Sequence, residues 1–342
     1  MADAGLRVWV LSDGQAGHYN QSRGIVRALE VLQPIATDWI DMRLRAGLVR
    51  TLLRWRLNRM PRPDNLRFLK ACCRIDELPG PRCDVLVSTG GKTSFANAWL
   101  AAYLDVPNIY AGSLRGLDPA LFSAVLTLEA VAGADNNLVL QLPPSPIDAA
   151  TVATAGAALR ARLGASQQRY WTLLVGGAGA GYRYDRRDWL ALHDLLKSLS
   201  ERHDIRWLIA GSRRTGQVAE QMLREGLDSC SAMQSWCTGG NSFQIEEYLG
   251  AADRVFVTED SMTMLTEAIY SQRPVHSLAP RRAQPAERFD QALQRFSDQG
   301  WLCRHRIEEL AMQPESLEQQ KCRVLRGSPT ADLAEHLRPF LQ

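Results

Sequence analysis

The feature that most constrains the fold is a repeated order of a short apolar run, a polar or glycine-bearing turn, and a helical stretch. The runs that read as buried strands are Leu6–Leu11, Cys83–Ser88, Tyr170–Val175, Ile205–Ala210 and Val255–Val257. Continuous apolar runs are typical of strands that are covered on both faces. Strands that alternate with helices predict parallel sheets with right-handed crossovers. The sequence therefore predicts an α/β fold with doubly wound sheets.

The pattern occurs twice, on either side of a proline-rich segment. The chain has 342 residues, and three prolines in Gln141–Asp148 indicate an interdomain linker. We expect a Rossmann-like N-terminal domain over 1–143 and a Rossmann-like C-terminal domain over 149–325. A last helix over 326–342 is expected to pack back on the N-terminal domain. Two such domains place their ligand-binding strand ends on either side of a cleft.

Composition narrows the class of protein. With 46% hydrophobic and 23% charged residues the chain is typical of soluble globular proteins, and its net charge of +3 is too small to imply a nucleic-acid partner. No apolar run reaches the roughly 20 residues that span a bilayer, and no signal-peptide pattern precedes the first strand. The 7 cysteines are odd in number and irregularly spaced. We therefore expect reduced thiols in the cytoplasm and no metal site.

The segment 43–62 differs from the rest because it is rich in arginine and contains no acidic residue. Leu44, Leu48, Leu52 and Trp55 recur at helical spacing, which predicts a helix with one apolar face and otherwise cationic surroundings. Such a helix can lie on an anionic membrane surface or hold a lipid-linked acceptor, peripherally on the inner membrane face. The alternative is a helix that packs on the core and happens to carry arginines on its polar face.

Two turns in the N-terminal half are candidates for ligand binding. The first strand leads into Ser12–His18, which contains Gly14 and Gly17, and a helix is predicted from Asn20 to Leu32. His18 beside Asp13 at the end of a first strand suggests acid–base chemistry, although a lone histidine is often structural. The pair Gly90 and Gly91 would let backbone approach a ligand closely.

The C-terminal half carries three further candidate turns. Gly176–Gly181 is dense in glycine, which is expected where backbone must approach a ligand, and Gly177, Gly179 and Gly181 belong to it. Arg213 and Arg214 follow the next strand and suit a diphosphate, with a solvated surface as the alternative. Ser235–Phe243 is a polar loop that could hold a base.

The stretch 252–278 is predicted to contain a phosphate-binding site, called the phosphate seat below. Ser261 can cap a helix that starts at Met262, and the N–H groups of that helix N-terminus favour an anion. Glu267 lies one helical turn beyond Thr263, where its carboxylate could accept hydrogen bonds from a ribose diol. Glu259 and Asp260 place two acids beside this seat. An ordinary βαβ unit with a solvated glutamate is the alternative.

These motifs resemble those of the mitochondrial fission ELM family and its bacterial relatives, within the GT-B glycosyltransferase superfamily. The likeness lies in Ser12–His18, Gly211–Thr215 and Thr258–Ser261, and it covers nearly the whole chain. More distantly, the chain is similar to the membrane-associated UDP-GlcNAc transferase of peptidoglycan synthesis. The resemblance implies that His18 acts as the base and that Glu267 binds the ribose. It also implies that the phosphate is bound by Ser261, Met262 and Thr263, and that the donor diphosphate lies near Gly177, Gly179 and Gly181.

The function that follows is a metal-independent glycosyl transfer, with no cofactor, from a nucleotide-diphosphate sugar to a lipid-linked or cell-envelope acceptor. His18 or Asp13 would act as base, and a UDP sugar is favoured as donor. Two alternatives remain open. One is a sugar-nucleotide 2-epimerase, which has the same architecture, and the other is a non-catalytic membrane-docking adaptor related to mitochondrial fission factors.

Overall fold

The computed structural model describes residues 5–60, 62–63, 65–80, 82–164, 167–237 and 243–341. The chain divides into two compact units. The N-terminal unit comprises Met1–Pro146 with Ser328–Gln342, and the C-terminal unit comprises Ile147–Gly327. Within the described ranges, no helix is both long and apolar enough to cross a membrane.

The N-terminal unit alternates strands with helices. Its strands are β1 (Leu6–Ser12), β2 (Ile35–Leu44), β3 (Cys73–Ile75), β4 (Val85–Thr89), β5 (Asn108–Ala111), β6 (Ala124–Thr127) and β7 (Asn137–Val139). Its helices are α1 (Ala16–Leu32), α2 (Val49–Arg59), α3 (Arg67–Cys72), α4 (Ser94–Leu104) and α12 (Pro329–Leu337), with 3₁₀ turns at Pro119–Leu121 and Arg338–Leu341.

The strand order of this unit, β3-β2-β1-β4-β5-β6-β7, creates one switch point. β1 pairs in parallel with β2 on one side and with β4 on the other, and among the described strands of this sheet only the short edge strand β3 runs antiparallel. The connections after β1 and β4 therefore diverge to opposite faces of the sheet. In sheets of this kind, ligands bind outside the carboxyl ends of the strands at the switch point.

The helix at the end of the chain belongs to the N-terminal unit because its apolar face completes that unit's core. Leu333, Ala334 and Leu337 are buried in one cluster with Ile25 and Leu29 of α1. Burying each such leucine contributes about 1.5–3 kcal/mol. The chain thus returns to its first unit after completing the second.

The C-terminal unit repeats the plan. Its strands are β8 (Arg169–Val175), β9 (Tyr182–Arg183), β10 (Ile205–Gly211), β11 (Ser231–Ser235), β12 (Arg254–Thr258), β13 (Val275–Ala279), β14 (Arg282–Ala283) and β15 (Cys303–Arg306). Its helices are α5 (Ala149–Leu163), α6 (Arg186–His203), α7 (Gln217–Leu227), α8 (Ile245–Ala251), α9 (Met262–Tyr270), α10 (Glu287–Asp298) and α11 (Ile307–Met312), with a 3₁₀ turn at Pro314–Glu318.

The main sheet of this unit has the order β11-β10-β8-β12-β13-β15, and its strands are parallel. β8 lies between β10 and β12, so the switch point falls where the chain leaves β8 and β12. The glycine-dense loop after Val175 and the turn after Thr258 both start there. Aromatic rings fill the core beneath, where Trp171 stacks on Phe256 and meets Trp207 edge-on.

Two sequence-based expectations about the elements are wrong in detail. α1 begins at Ala16 and not at Asn20, so His18 lies inside the first helical turn. Leu44 belongs to β2, and the arginine-rich helix α2 covers only Val49–Arg59. The region after α10 contains β15, a four-residue strand (CRHR) whose polar sequence gives no signal of a strand.

The expectation of reduced thiols is also wrong for one pair. Cys303 and Cys322 are disulfide-bonded, whereas Cys72, Cys73, Cys83, Cys230 and Cys237 are free. The pairing links β15 to the irregular segment before α12, which no local spacing indicates.

Candidate functional site

The turn after β1 is shaped by its own side chains. Gly14 has φ +74°, a conformation that favours glycine, and its N–H donates to Ser12 Oγ at 3.1 Å. The N–H of Gln15 donates to Asp13 Oδ1 at 3.1 Å. The turn therefore fixes the Asp13 carboxylate directly before α1 begins.

His18 and Asp13 form a pair at this turn. Nδ1 of His18 lies 3.0 Å from both carboxylate oxygens of Asp13. The Asp13 side chain is only 3% exposed, whereas that of His18 is 38% exposed. A carboxylate only accepts hydrogen bonds, so we assign the proton to Nδ1, which leaves Nε2 as the ring's acceptor. This arrangement suits a general base.

The glycine pair after β4 has a steric role beside His18. Gly90 has φ +92°, and a Cβ there would lie 2.3 Å from the His18 ring. A Cβ on Gly91 would lie 2.4 Å from Nε of Arg115. The structure thus brings Gly90 together with the His18 pair. Gly17, one residue earlier in α1, is half-buried.

A cavity of about 470 Å³ opens beside this turn and is lined by cations. Asp13 and Gly14 border it together with Arg43, Arg50 and Lys92. These three cationic side chains form no ion pair with any residue of the described chain. Their charge is therefore available to an anion close to the Asp13 carboxylate.

In the C-terminal unit, the glycine-dense loop lies against the turns that follow β10 and β12. A Cβ on Gly177 would lie 1.9 Å from the carbonyl oxygen of Arg214, and one on Gly179 would lie 2.6 Å from that residue's Nη1. Gly181 has φ +91° and approaches the backbone of Gln284 equally closely. Gly177 and Gly181 are thus required by close packing against backbone, whereas Gly179 faces only the movable end of the Arg214 side chain.

Asp260 is buried beneath this loop. Its Oδ2 accepts from the N–H of Gly177 at 3.1 Å and pairs with Nη2 of Arg214 at 2.8 Å. Burial raises the pKa of the Asp260 carboxyl, and the Arg214 charge offsets only part of that shift. Oδ1 is buried and lacks a hydrogen-bond partner in the part of the chain that is described. Arg213, like Arg214, is exposed.

Glu259 is held by a network that the sequence did not reveal. Its carboxylate accepts hydrogen bonds from Nε of Arg304 at 2.8 Å, from Ser277 Oγ at 2.7 Å and from Tyr182 OH at 3.0 Å. Burial raises the pKa of Tyr182, and the adjacent Glu259 charge raises it further. Both carboxylate oxygens of Glu259 thus accept hydrogen bonds within the protein. Arg304 balances the negative charge of this acid, which the sequence predicted to lie beside the phosphate seat.

The N-terminus of α9 has the expected geometry. Ser261 caps it by accepting from the N–H of Met264 at 3.4 Å. The first N–H groups of a helix have no acceptor within it, so those of Met262 and Thr263 can face an anion. Glu267, one turn further on, is 5% exposed and is therefore mostly covered by protein.

Two more features border these turns. A cavity of about 610 Å³ has Glu259, Tyr182, Arg304 and His305 in its wall. In the polar loop proposed to hold a base, Trp236 packs against Gly211, but residues 238–242 lie outside the described part of the chain.

The residues that sequence reasoning missed are mostly cations and their hydrogen-bonding neighbours. Arg304, Tyr182 and Arg115 lie far in sequence from the groups they face. The only local signal for Arg304 is its place in β15, a short strand in which alternate residues face opposite sides of the sheet.

Comparisons with known proteins agree with the architecture. The sequence profile of a family described as mitochondrial fission ELM1 matches residues 16–337. A search of curated proteins gave no match. Among solved structures, the chain is similar to UDP-GlcNAc 2-epimerase from Methanocaldococcus jannaschii, with 15% identity, coverage of 98% of this chain and 99% of that chain, and a TM-score of 0.57.

Two other solved structures show related likenesses. S. aureus MnaA, solved with UDP, has 11% identity, coverage of 96% and 94%, and a TM-score of 0.55. MurG from Acinetobacter baumannii has 12% identity, coverage of 98% and 95%, and a TM-score of 0.49. At such identities a structural likeness establishes fold alone. The predicted GT-B-like fold of two doubly wound units is confirmed.

Proposed function

Since the chain belongs to the mitochondrial fission ELM1 family and has a GT-B-like fold, we propose that it is a glycosyltransferase. It moves a sugar from a nucleotide-diphosphate sugar, with a UDP sugar favoured, to a lipid-linked or cell-envelope acceptor. The observation that carries the proposal is the Asp13–His18 pair at the switch point of the N-terminal sheet. A purely structural scaffold does not require a part-exposed imidazole that is oriented by a buried carboxylate.

In this mechanism His18 removes the proton from the acceptor hydroxyl. Asp13 holds Nδ1–H, so Nε2 receives the proton, and the carboxylate then stabilises the imidazolium. Gly90 leaves room for the ring, because any side chain at that position would collide with it. General-base assistance of this kind contributes about 10²–10⁴-fold to rate.

The donor is assigned to the C-terminal unit. Its diphosphate would lie at the N-terminus of α9, where the N–H groups of Met262 and Thr263 and the exposed guanidinium of Arg213 offset the leaving-group charge. Arg214 already pairs with Asp260, whereas Arg213 forms no ion pair with any residue of the described chain, so its charge is the more available of the two. This scheme supplies positive charge without a metal. Glu267 is kept as the proposed ribose ligand.

The acceptor is assigned to the N-terminal unit. The cavity beside Asp13 offers Arg43, Arg50 and Lys92 to an anionic group. α2, together with Leu48 directly before it, adds an apolar stripe that faces solvent, because Leu48, Leu52 and Trp55 are 87%, 46% and 52% exposed. A helix that exposes both apolar and cationic side chains is expected to bind the surface of an anionic membrane.

The first experiment tests the base. His18→Ala and Asp13→Asn should each lower kcat by about 10²–10⁴-fold while the donor dissociation constant stays unchanged. Asp194→Asn is the matched control, because Asp194 also contacts a histidine, His193, at 2.9 Å, but on an exposed helix surface. Equal activity of Asp13→Asn and Asp194→Asn would contradict the assignment.

The second experiment tests the donor and separates the rival functions. UDP, ADP, GDP and CDP are compared by thermal shift, and a true donor nucleotide should raise Tm in wild type and less in Arg213→Ala. Absence of any shift would favour the adaptor function. Turnover of UDP-GlcNAc without an acceptor would instead identify an epimerase.

The third experiment tests the membrane. Co-sedimentation with vesicles that contain phosphatidylglycerol should exceed that with neutral vesicles, and the double variant Leu52→Ser/Trp55→Ser should lose most of it. Val218→Ser is the control, since Val218 is 76% exposed on α7 of the other unit. Equal loss in both variants would argue against docking through α2.

A further inference from the structure

One cluster of side chains takes no part in the proposed transfer. It lies where β13 and β15 pair in parallel, with His276 directly opposite Cys303. Residues opposite each other in a sheet share a face, and so do alternate residues of one strand. His276, Cys303 and His305 therefore lie on one face of the sheet, and Cys322 reaches them from the segment that follows α11.

The donor atoms of this cluster are close together. Those of His276, Cys303 and Cys322 all lie within 4.8 Å of one another. Nε2 of His276 is 3.7 Å from Sγ of Cys322, and its Nδ1 is 3.0 Å from Nε2 of His305. Ligand atoms around a tetrahedral Zn²⁺ are separated by about 3.3–3.8 Å, given Zn–N and Zn–S bonds of about 2.0–2.3 Å.

We propose that Cys303, Cys322, His276 and His305 form a structural Zn²⁺ site when the disulfide is reduced. A two-electron reductant, such as a phosphine that becomes its oxide, breaks the S–S bond and leaves two thiols. On binding Zn²⁺ each thiol releases one proton, and the two thiolates with two neutral imidazoles complete the set. The disulfide is the oxidised, metal-free form of the same site.

The imidazoles are the reason to infer a metal and not a disulfide alone. A disulfide needs no nitrogen ligand, yet His276 is 1% exposed and lies beside both sulfurs. Burying an imidazole is costly unless its nitrogens have partners, and in the described chain those of His276 lie against His305 and the sulfur of Cys322.

The opposite face of the same two strands shows what a metal at this site would stabilise. Ser277 and Arg304 are also directly opposite each other, and both donate to Oε1 of Glu259. A metal that ties β15 to β13 on one face therefore fixes Arg304 on the other. The site would stabilise the C-terminal unit without contacting the donor.

The test uses the full chain, reduced with a phosphine, freed of metal by chelation under argon, and titrated with Co²⁺. One Co²⁺ per chain should bind with the visible bands of tetrahedral cobalt and a thiolate charge-transfer band, and Zn²⁺ should displace it. Zn²⁺ should also protect Cys303 and Cys322 from alkylation, as read by mass spectrometry, while exposed Cys237 still reacts.

Variants decide whether these residues are the ligands. Cys322→Ser should abolish the charge-transfer band or weaken metal affinity at least tenfold, whereas Cys237→Ser should change neither. His305→Ala, at a half-buried position, gives a second variant if the first folds poorly. The proposal is overturned if both cysteines titrate as free thiols and no Co²⁺ binds, or if Cys322→Ser binds it as wild type does. Nucleotide thermal shifts are read separately, so failure here leaves the transferase proposal intact.

Discussion

Replacing Arg304 tests whether Glu259 is an ionised, structural acid. The Glu259 side chain is 2% exposed and that of Arg304 is 25% exposed, with Nε and Nη2 donating at 2.8 and 3.2 Å. Arg304→Met keeps much of the apolar stem but leaves the carboxylate buried without its counter-charge. Breaking a buried ion pair costs about 3–5 kcal/mol.

Two features of the structure place Arg304→Met at the lower end of that range. Water reaches part of the guanidinium, and Ser277 and Tyr182 continue to donate to Glu259. The second partner of Arg304 is Asp290, whose side chain is 52% exposed. Losing this surface ion pair therefore costs little free energy of unfolding. We expect a loss of about 3 kcal/mol, which lowers Tm by roughly 6–12 °C in a unit of this size.

The assay is thermal unfolding followed by tryptophan fluorescence, with Arg306→Met as the matched control. Arg306 is the next arginine of β15 but pairs with Glu309 at the surface, so its loss should cost under about 1 kcal/mol. Adding Glu259→Gln to Arg304→Met should recover part of the lost stability, because the buried charge is then gone. Equal Tm values for Arg304→Met and Arg306→Met, or no recovery in the double variant, would refute the reasoning.

Two further predictions concern the glycine-dense loop and the acid beneath it. Gly177→Ala should destabilise by about 1–3 kcal/mol because its Cβ would meet the Arg214 carbonyl, and urea unfolding should show no comparable loss for Gly47→Ala, whose nearest atom is 3.6 Å away. The folded pKa of Asp260 lies above its ordinary value of 3.8, so its contribution to stability is full below that pH and is lost as the pH rises through the folded pKa. The unfolding free energy of wild type minus that of Asp260→Asn should therefore fall with rising pH, and a difference that grows would be inconsistent with the buried carboxylate.

How much of the site was predictable depends on how local each contact is. Asp13 and His18 are five residues apart and meet because a turn leads into a helix, so their types and spacing were sufficient. Ser261 as the cap of α9 was equally local. The hydrogen bonds of Glu259 were not predictable, since Arg304 lies 45 residues further along the chain.

The arginine-rich helix shows the same limit within a single element. Apolar residues at helical spacing predicted α2, but the helix carries two apolar stripes. Leu53 and Leu57 are buried in the N-terminal core, whereas Leu52 and Trp55 are exposed. Spacing alone does not tell which stripe meets the core, because that depends on where α4 and the sheet lie.

By itself the sequence determined the doubly wound units, the turns at the carboxyl ends of their strands, and the Asp13–His18 pair. These follow from hydrophobic periodicity, from glycine and from helix capping, all of which act over a few residues. Only the tertiary structure decided the rest. The segment of β15 forms a strand because it pairs with the edge of β13. That pairing brings Arg304 to Glu259 and places Cys303, Cys322 and His276 together. Such long-range contacts depend on the packing of whole elements.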